Sequence, residues 1–116
     1  MDKGKGSPLR TVYTTLASEE DARGLARTLL ADRLIACANL FRLRSLYTWK
    51  GQVQDEAEVG VLFKTTEDRL DDLLRILPER HPYEVPCVEV WPVDRVHPAF
   101  GDWVRESVVE GSTSDR

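Results

Sequence analysis

The densest run of side chains able to do chemistry is His81-Pro82-Tyr83-Glu84-Val85-Pro86. An imidazole ligates a metal or donates to an anion, a phenol donates, and a carboxylate accepts or ligates. Each residue before a proline avoids the helical region, so the run reads as an extended loop. His81 and Glu84 supply two metal ligands where a tight site needs three or four. Cys37 is the candidate third, with Cys87 and His97 as the other ligand types available. None of them stands in a Cys-x-x-Cys or His-x-x-x-His spacing. A lone histidine is more often structural than a ligand, and isolated cysteines are more often small buried apolar side chains. A second set is Tyr47, Trp49, Trp91 and Trp103. Such residues anchor cores and interfaces or line a pocket. With Lys64 at a strand end and Tyr83 on its wall, a cleft of Tyr47, Trp49 and Trp103 would suit a small anionic ligand.

The elements that must position these residues follow from periodicity. Leu9 to Leu16 is rich in β-branched and aromatic residues and reads as a first strand. Ser18 with Asp21 resembles a capping box, and Ala22, Leu25, Ala26, Leu29 and Leu30 recur at helical spacing, giving a helix over 19–34. Residues 37–49 are extended, with Phe41, Leu43, Tyr47 and Trp49 on one parity. Lys50-Gly51 marks a turn into a strand carrying Val59, Val61 and Phe63, with a bulge expected at Asp55 and Glu56. Thr65 with Asp68 resembles another cap, and Leu70, Leu73, Leu74 and Leu77 stripe a second helix that should end or kink near Pro78. A fourth strand is expected over Cys87–Trp91 and a terminal helix over Ala99–Val109.

The order is βαββαβ with an extra C-terminal helix. Right-handed crossovers around a hairpin then give an antiparallel four-stranded sheet with both main helices on one face, the ferredoxin-like α+β sandwich. Strands two and four become opposite edges, too far apart for Cys37 and Cys87 to bridge. The second sheet face has no helix to cover it, yet apolar residues occupy both parities. That pattern predicts a partner, and exposed strand edges reinforce it. One domain is expected over 9–109, with loose termini at 1–8 and 110–116.

The chain has 116 residues, 41% hydrophobic and 31% charged, with a formal net charge of −4. This is a globular composition, and a pI near 5.2 leaves no electrostatic footprint for nucleic acid. The third strand lacks the aromatic pair with which RNA-recognition modules of the same topology stack bases. The loop after the first strand, Leu16-Ala17-Ser18-Glu19-Glu20, is acidic and unlike the anion loop of acylphosphatases. No nucleophile elbow, Walker loop, dinucleotide fingerprint or zinc-protease helix is present, so no catalytic residues are assigned. No apolar stretch is long enough to span a bilayer and no secretory h-region follows the N-terminus. A cytoplasmic protein with no membrane partner is expected.

Four segments together resemble the CutA family of divalent-ion tolerance proteins. They are Ala36-Cys37-Ala38-Asn39-Leu40, Ser45-Leu46-Tyr47-Thr48-Trp49-Lys50-Gly51, Glu58 through Thr66, and His81 through Pro86. Trp103 also fits, and the likeness covers residues 11–108. The resemblance implies a tight homotrimer on the plan of the PII-type signal proteins, and a link to copper or another divalent cation with no catalytic reaction. The alternative it leaves is a trimeric sensor or scaffold with an anionic ligand between subunits. Copper ligands proposed in some members fall here on Thr14, Arg80 and His81, of which only His81 can ligate. With Glu84 and Cys37 added from the reading of the residues, each only if the fold brings it within coordination reach, the expected metal set in this chain is His81, Glu84 and Cys37.

Overall fold

The computed structural model describes residues 6–109. Seven elements follow in the order β1 (Leu9–Leu16), α1 (Glu19–Ala31), β2 (Cys37–Trp49), β3 (Gln52–Thr66), α2 (Glu67–Arg80), β4 (Glu89–Pro92) and α3 (Pro98–Ser107). The antiparallel sheet runs β2-β3-β1-β4. The ferredoxin-like arrangement expected from the sequence is therefore the observed one.

Period-two alternation sorts the side chains. Val12 and Leu16 of β1 and Val59, Val61 and Phe63 of β3 point to one face. There they meet Ala22, Leu25, Ala26 and Leu29 of α1 and Leu70, Leu73 and Leu77 of α2. The opposite parity carries Tyr13, whose ring stacks between Phe41 of β2 (6.4 Å) and Trp91 of β4 (5.3 Å). Gly60, paired with Phe41, makes that row possible. A Cβ there would lie 2.5 Å from the Phe41 ring and 2.8 Å from Leu43. Phe41 and Trp91 both remain exposed. This second face is not wholly bare, because α3 covers one end of it. Val104 and Val108 bury Leu9 and Ala36 there, with Trp103 packed alongside.

Several element ends differ from expectation, each for a local reason. Helix α1 stops at Ala31 rather than residue 34 because Arg33 turns left-handed, φ 57°. Its N–H then reaches the Leu30 carbonyl and that of Leu34 reaches the Leu29 carbonyl, a Schellman closure without glycine. Strand β3 has no bulge, since Asp55 and Glu56 pair in unbroken register with Leu46 and Ser45. The β2–β3 turn is a two-residue loop in which Lys50 (φ 52°) and Gly51 (φ 78°) are both left-handed, as a type I′ turn demands.

Thr65 does not cap α2. Its hydroxyl donates inward to the Leu34 carbonyl at 2.7 Å. The cap comes from outside the helix: Ser7 Oγ accepts from the Asp68 N–H at 3.0 Å, and the Pro8 carbonyl accepts from the Glu67 N–H. Arg105 of α3 in turn donates to the Ser7 carbonyl. Residues 6–8 are thus tied down rather than loose; residues 1–5 and 110–116 lie outside the described residues.

Pro78 sits two residues before the end of α2. Strand β4 begins at Glu89, later than expected, so Cys87 precedes it. It includes Pro92, which an edge strand tolerates. Helix α3 runs Pro98–Ser107, its start capped by His97 Nδ1 accepting from the Ala99 N–H.

Thr14 faces the helix side of the sheet, fully buried, and its hydroxyl has no hydrogen-bond partner. An unsatisfied buried hydroxyl costs about 1–3 kcal/mol. Thr14→Val should therefore raise unfolding free energy by about 1 kcal/mol in urea titration. A loss of stability would show that the hydroxyl is satisfied.

Candidate functional site

The main concavity, a groove of about 800 Å³, opens on the second sheet face. Its walls are the β2–β3 hairpin near Tyr47, Trp49, Glu56 and Glu58, the loop from Tyr83 to Cys87, and Tyr13 and Thr15 of β1. The hairpin reaches beyond the other strands, since β1 pairs with β3 only from Val59 to Thr66. The molecule is correspondingly long, 51 × 27 × 23 Å.

His81 anchors the loop rather than presenting a ligand. It is 6% exposed. Nε2 lies 2.8 Å from the Thr15 carbonyl, which can only accept, so Nε2 carries the proton. Nδ1 then accepts the Tyr83 N–H at 3.2 Å. Both ring nitrogens are engaged, and no lone pair faces solvent. Burial lowers the imidazole pKa, opposed in part by the Thr15 bond and the charge of Glu58. The ring also meets that of Tyr83 edge-on at 4.8 Å.

Tyr83 passes the connection onward. Its hydroxyl donates to Glu58 Oε2 at 2.6 Å. Burial, then that bond and the Glu58 charge, push its pKa well above the ordinary phenol value. Glu58 is 7% exposed. Above it, Tyr47 donates to Glu56 Oε1 at 2.9 Å, which raises the Tyr47 pKa. Cys87 also titrates high, mainly through burial and then through Glu89 and Glu58.

The expected site residues divide into two groups. Tyr47, Trp49, Tyr83 and Glu84 do converge on the groove. Lys64 and Trp103 do not. Lys64 pairs with Cys37 and Thr11 at the other end of the sheet and donates to Asn39 Oδ1, while Trp103 belongs to the α3 cluster around Leu9. The groove therefore lacks the cation an anionic ligand would need. Its one arginine, Arg44, is held by Asp55 at 2.7 Å, and Glu56, Glu58 and Glu84 give it a negative field. The sequence reading missed Glu58, Glu56, Tyr13 and Thr15. The signal was parity, since Glu58 alternates with Val59, Val61 and Phe63 and must face away from the core.

The implied metal set does not assemble. Cys37 stands opposite Lys64, whereas His81 packs on Thr15, four residues further along β1 than Thr11, the partner of Lys64. Thr14 is in the core and Arg80 turns to Asp32 at 3.3 Å. Among the described residues no three His, Cys, Asp or Glu side chains gather to hold a metal ion. A resident copper centre built on His81, Glu84 and Cys37 does not fit this structure.

Fold and groove together define a ferredoxin-like module with an open aromatic sheet face and an acidic, ring-lined groove at its margin. Residues 10–107 match the family model described as CutA1 divalent ion tolerance protein. The chain belongs to that family. It is 43% identical over 98 residues to the divalent-cation tolerance protein CutA of Thermotoga maritima, covering 84% of this chain and 97% of the relative. It is 42% identical over 95 residues to that of Pyrococcus horikoshii, covering 82% and 93%. The solved structure of CutA from Synechococcus elongatus superposes with a TM-score of 0.86 at 34% identity, covering 89% of this chain and 92% of that one.

Buried neutral His81 has a pH signature. The unfolded chain takes up a proton near the ordinary histidine pKa of about 6.5, whereas the folded chain resists it. More protons on the unfolded side mean that stability falls as pH drops through that value and levels out below the folded pKa. Wild-type stability should decline more between pH 7.5 and 5 than that of His81→Gln, measured by urea titration at each pH. Parallel declines would place the imidazole in solvent.

Proposed function

We propose that this chain serves divalent-cation tolerance as a non-catalytic homotrimer assembled through its open sheet face, without a resident copper centre. The observation that carries the assembly is the Phe41, Tyr13, Trp91 row. Three rings lie across β2, β1 and β4 on a face that α3 leaves mostly bare. Contiguous apolar area of this kind is buried by association. The trimeric plan that the family resemblance implies supports three copies, and family membership supports the tolerance role.

The non-catalytic reading rests on His81. With Nδ1 and Nε2 both bonded internally, it is not placed to act as a general base. Cations would meet the protein at exposed carboxylates such as Glu84, as weak oxygen ligands, rather than in a thiolate–imidazole site.

Light scattering of the full chain at micromolar concentration should give three times the 13.2 kDa chain mass. Phe41→Glu, which places a charge at the β2 end of the row, should lower that mass, and the wild-type Tm should rise with concentration. A wild-type monomer would overturn the reading.

Copper(II) titration at neutral pH should give weak binding that His81→Ala leaves unchanged. Tight binding abolished by that substitution would restore a histidine-centred metal site.

A further inference from the structure

A second concavity lies on the opposite side of the sheet from the face that association buries. There α1 and α2 pack over Val12, Leu16, Val61 and Phe63. Between α1 and the C-terminal end of α2 is a cavity of about 280 Å³. Leu16, Leu25 and Pro82 give it apolar surface, and Asp21, Gly24 and Thr28 continue its α1 wall to Arg80 of α2. Asp21, Gly24, Leu25 and Thr28 follow one another at three- and four-residue spacing, so they form a single stripe of α1.

Gly24 is the anomaly of that stripe. Glycine in a helix interior costs stability relative to alanine. Packing does not require it here, because a Cβ at Gly24 would meet nothing within 4 Å beyond its own stretch of helix. The Thr28 hydroxyl donates back to the Gly24 carbonyl at 3.0 Å, which keeps that side chain against the helix. The middle of the stripe is therefore left bare, and the bare stretch is the trough.

The two ends of the trough carry opposite charges. Asp21 makes no ion pair among the described residues. Arg80 stands at the other end, 40% exposed, with Nη1 3.3 Å from Asp32, which follows Thr28 by one helical turn. A guanidinium has five N–H donors, so this pair leaves others for a second anion. Asp21 and Thr28 are seven residues apart, about 10 Å along the helix axis. A ligand with one charge gains a single exposed ion pair, which is weak. A ligand with both charges, spaced to reach both ends, gains the second contact at little further loss of freedom. We propose that this trough binds a short linear ω-amino carboxylate, its ammonium at Asp21, its carboxylate on Arg80 and its alkyl stem across Gly24 against Leu16, Leu25 and Pro82.

The test is a heteronuclear NMR titration of the full chain in its solution assembly with 5-aminopentanoate. Saturable amide shifts are expected in residues 21–28 and 80–82. Pentanoate and pentylammonium, each lacking one charge, should bind about fivefold or more weakly, the scale of one exposed ion pair. Glycylglycine spaces the same two charges by the same number of bonds on a polar stem and should also bind more weakly. Gly24→Leu fills the trough with a better helix former, so it should abolish the shifts while its Tm equals or exceeds that of wild type. Asp21→Asn should weaken 5-aminopentanoate to the level of pentanoate. The proposal is overturned if 5-aminopentanoate gives no saturable shifts or if either single-charge analogue or glycylglycine binds as tightly. Wild-type affinity in Gly24→Leu or, should that variant not fold, in Asp21→Asn overturns it equally. Light scattering on the same samples reads assembly separately, so failure here leaves the trimer reading intact.

Discussion

The register of β3 is the constraint on which the rest of the molecule depends. This strand is paired on both sides, to β2 from Gln52 to Lys64 and to β1 from Val59 to Thr66. One parity sends Val59, Val61 and Phe63 into the core; the other sends Glu58, Gly60, Leu62 and Lys64 to the open face. A slip of one residue would expose the aromatic centre of the core and bury a lysine. The same alternation puts Glu58 at the groove and Gly60 beneath the Phe41 ring, so core, groove and ring row are set by one pairing choice.

The loop after α2 converts that register into a site. Pro82 and Pro86 restrict its backbone, but its position comes from His81, which clamps the Thr15 carbonyl at the end of β1 and the loop's own Tyr83 amide. From there Tyr83 reaches across to β3. Imidazole, phenol and carboxylate thus form a continuous polar brace from β1 through the loop to β3. A histidine used in this way loses its value as a metal ligand, because both nitrogens are committed and burial disfavours its charged form.

Much of this was legible in the sequence, since it rests on local periodicity. Strand β1, both long strands, the apolar stripes of α1 and α2 and the strand order followed from alternation, helical spacing and crossover handedness. Less legible were features decided by non-local partners. Nothing near Asp68 reveals that Ser7, sixty-one residues earlier, caps α2. Arg33 closes α1 in a conformation usually left to glycine, and Lys50 enters the turn the same way. At the site, residue type alone suggested His81 as a ligand and Lys64 as a cleft cation. Only three-dimensional placement shows the first engaged internally and the second at the far end of the sheet. Glu58 looked like an ordinary strand residue because its burial is produced by Tyr83 and the loop, not by its neighbours in the chain.

The bond between Arg105 and the Ser7 carbonyl places the first and last described elements side by side. The described residues trace almost a closed ring, with Ser7 and Arg105 meeting near the start of α2 and the far point at Lys50-Gly51. Such a ring can be cut elsewhere without changing its packing. A permuted form of residues 6–109, with a flexible linker joining Gly6 to Val109 and opened at the hairpin tip, would keep every strand neighbour while separating the covalent continuity of β2 from that of β3. The hairpin would then be held by sheet pairing alone. Its two arms could be labelled or released independently, which makes the projecting half of the molecule separable from its core.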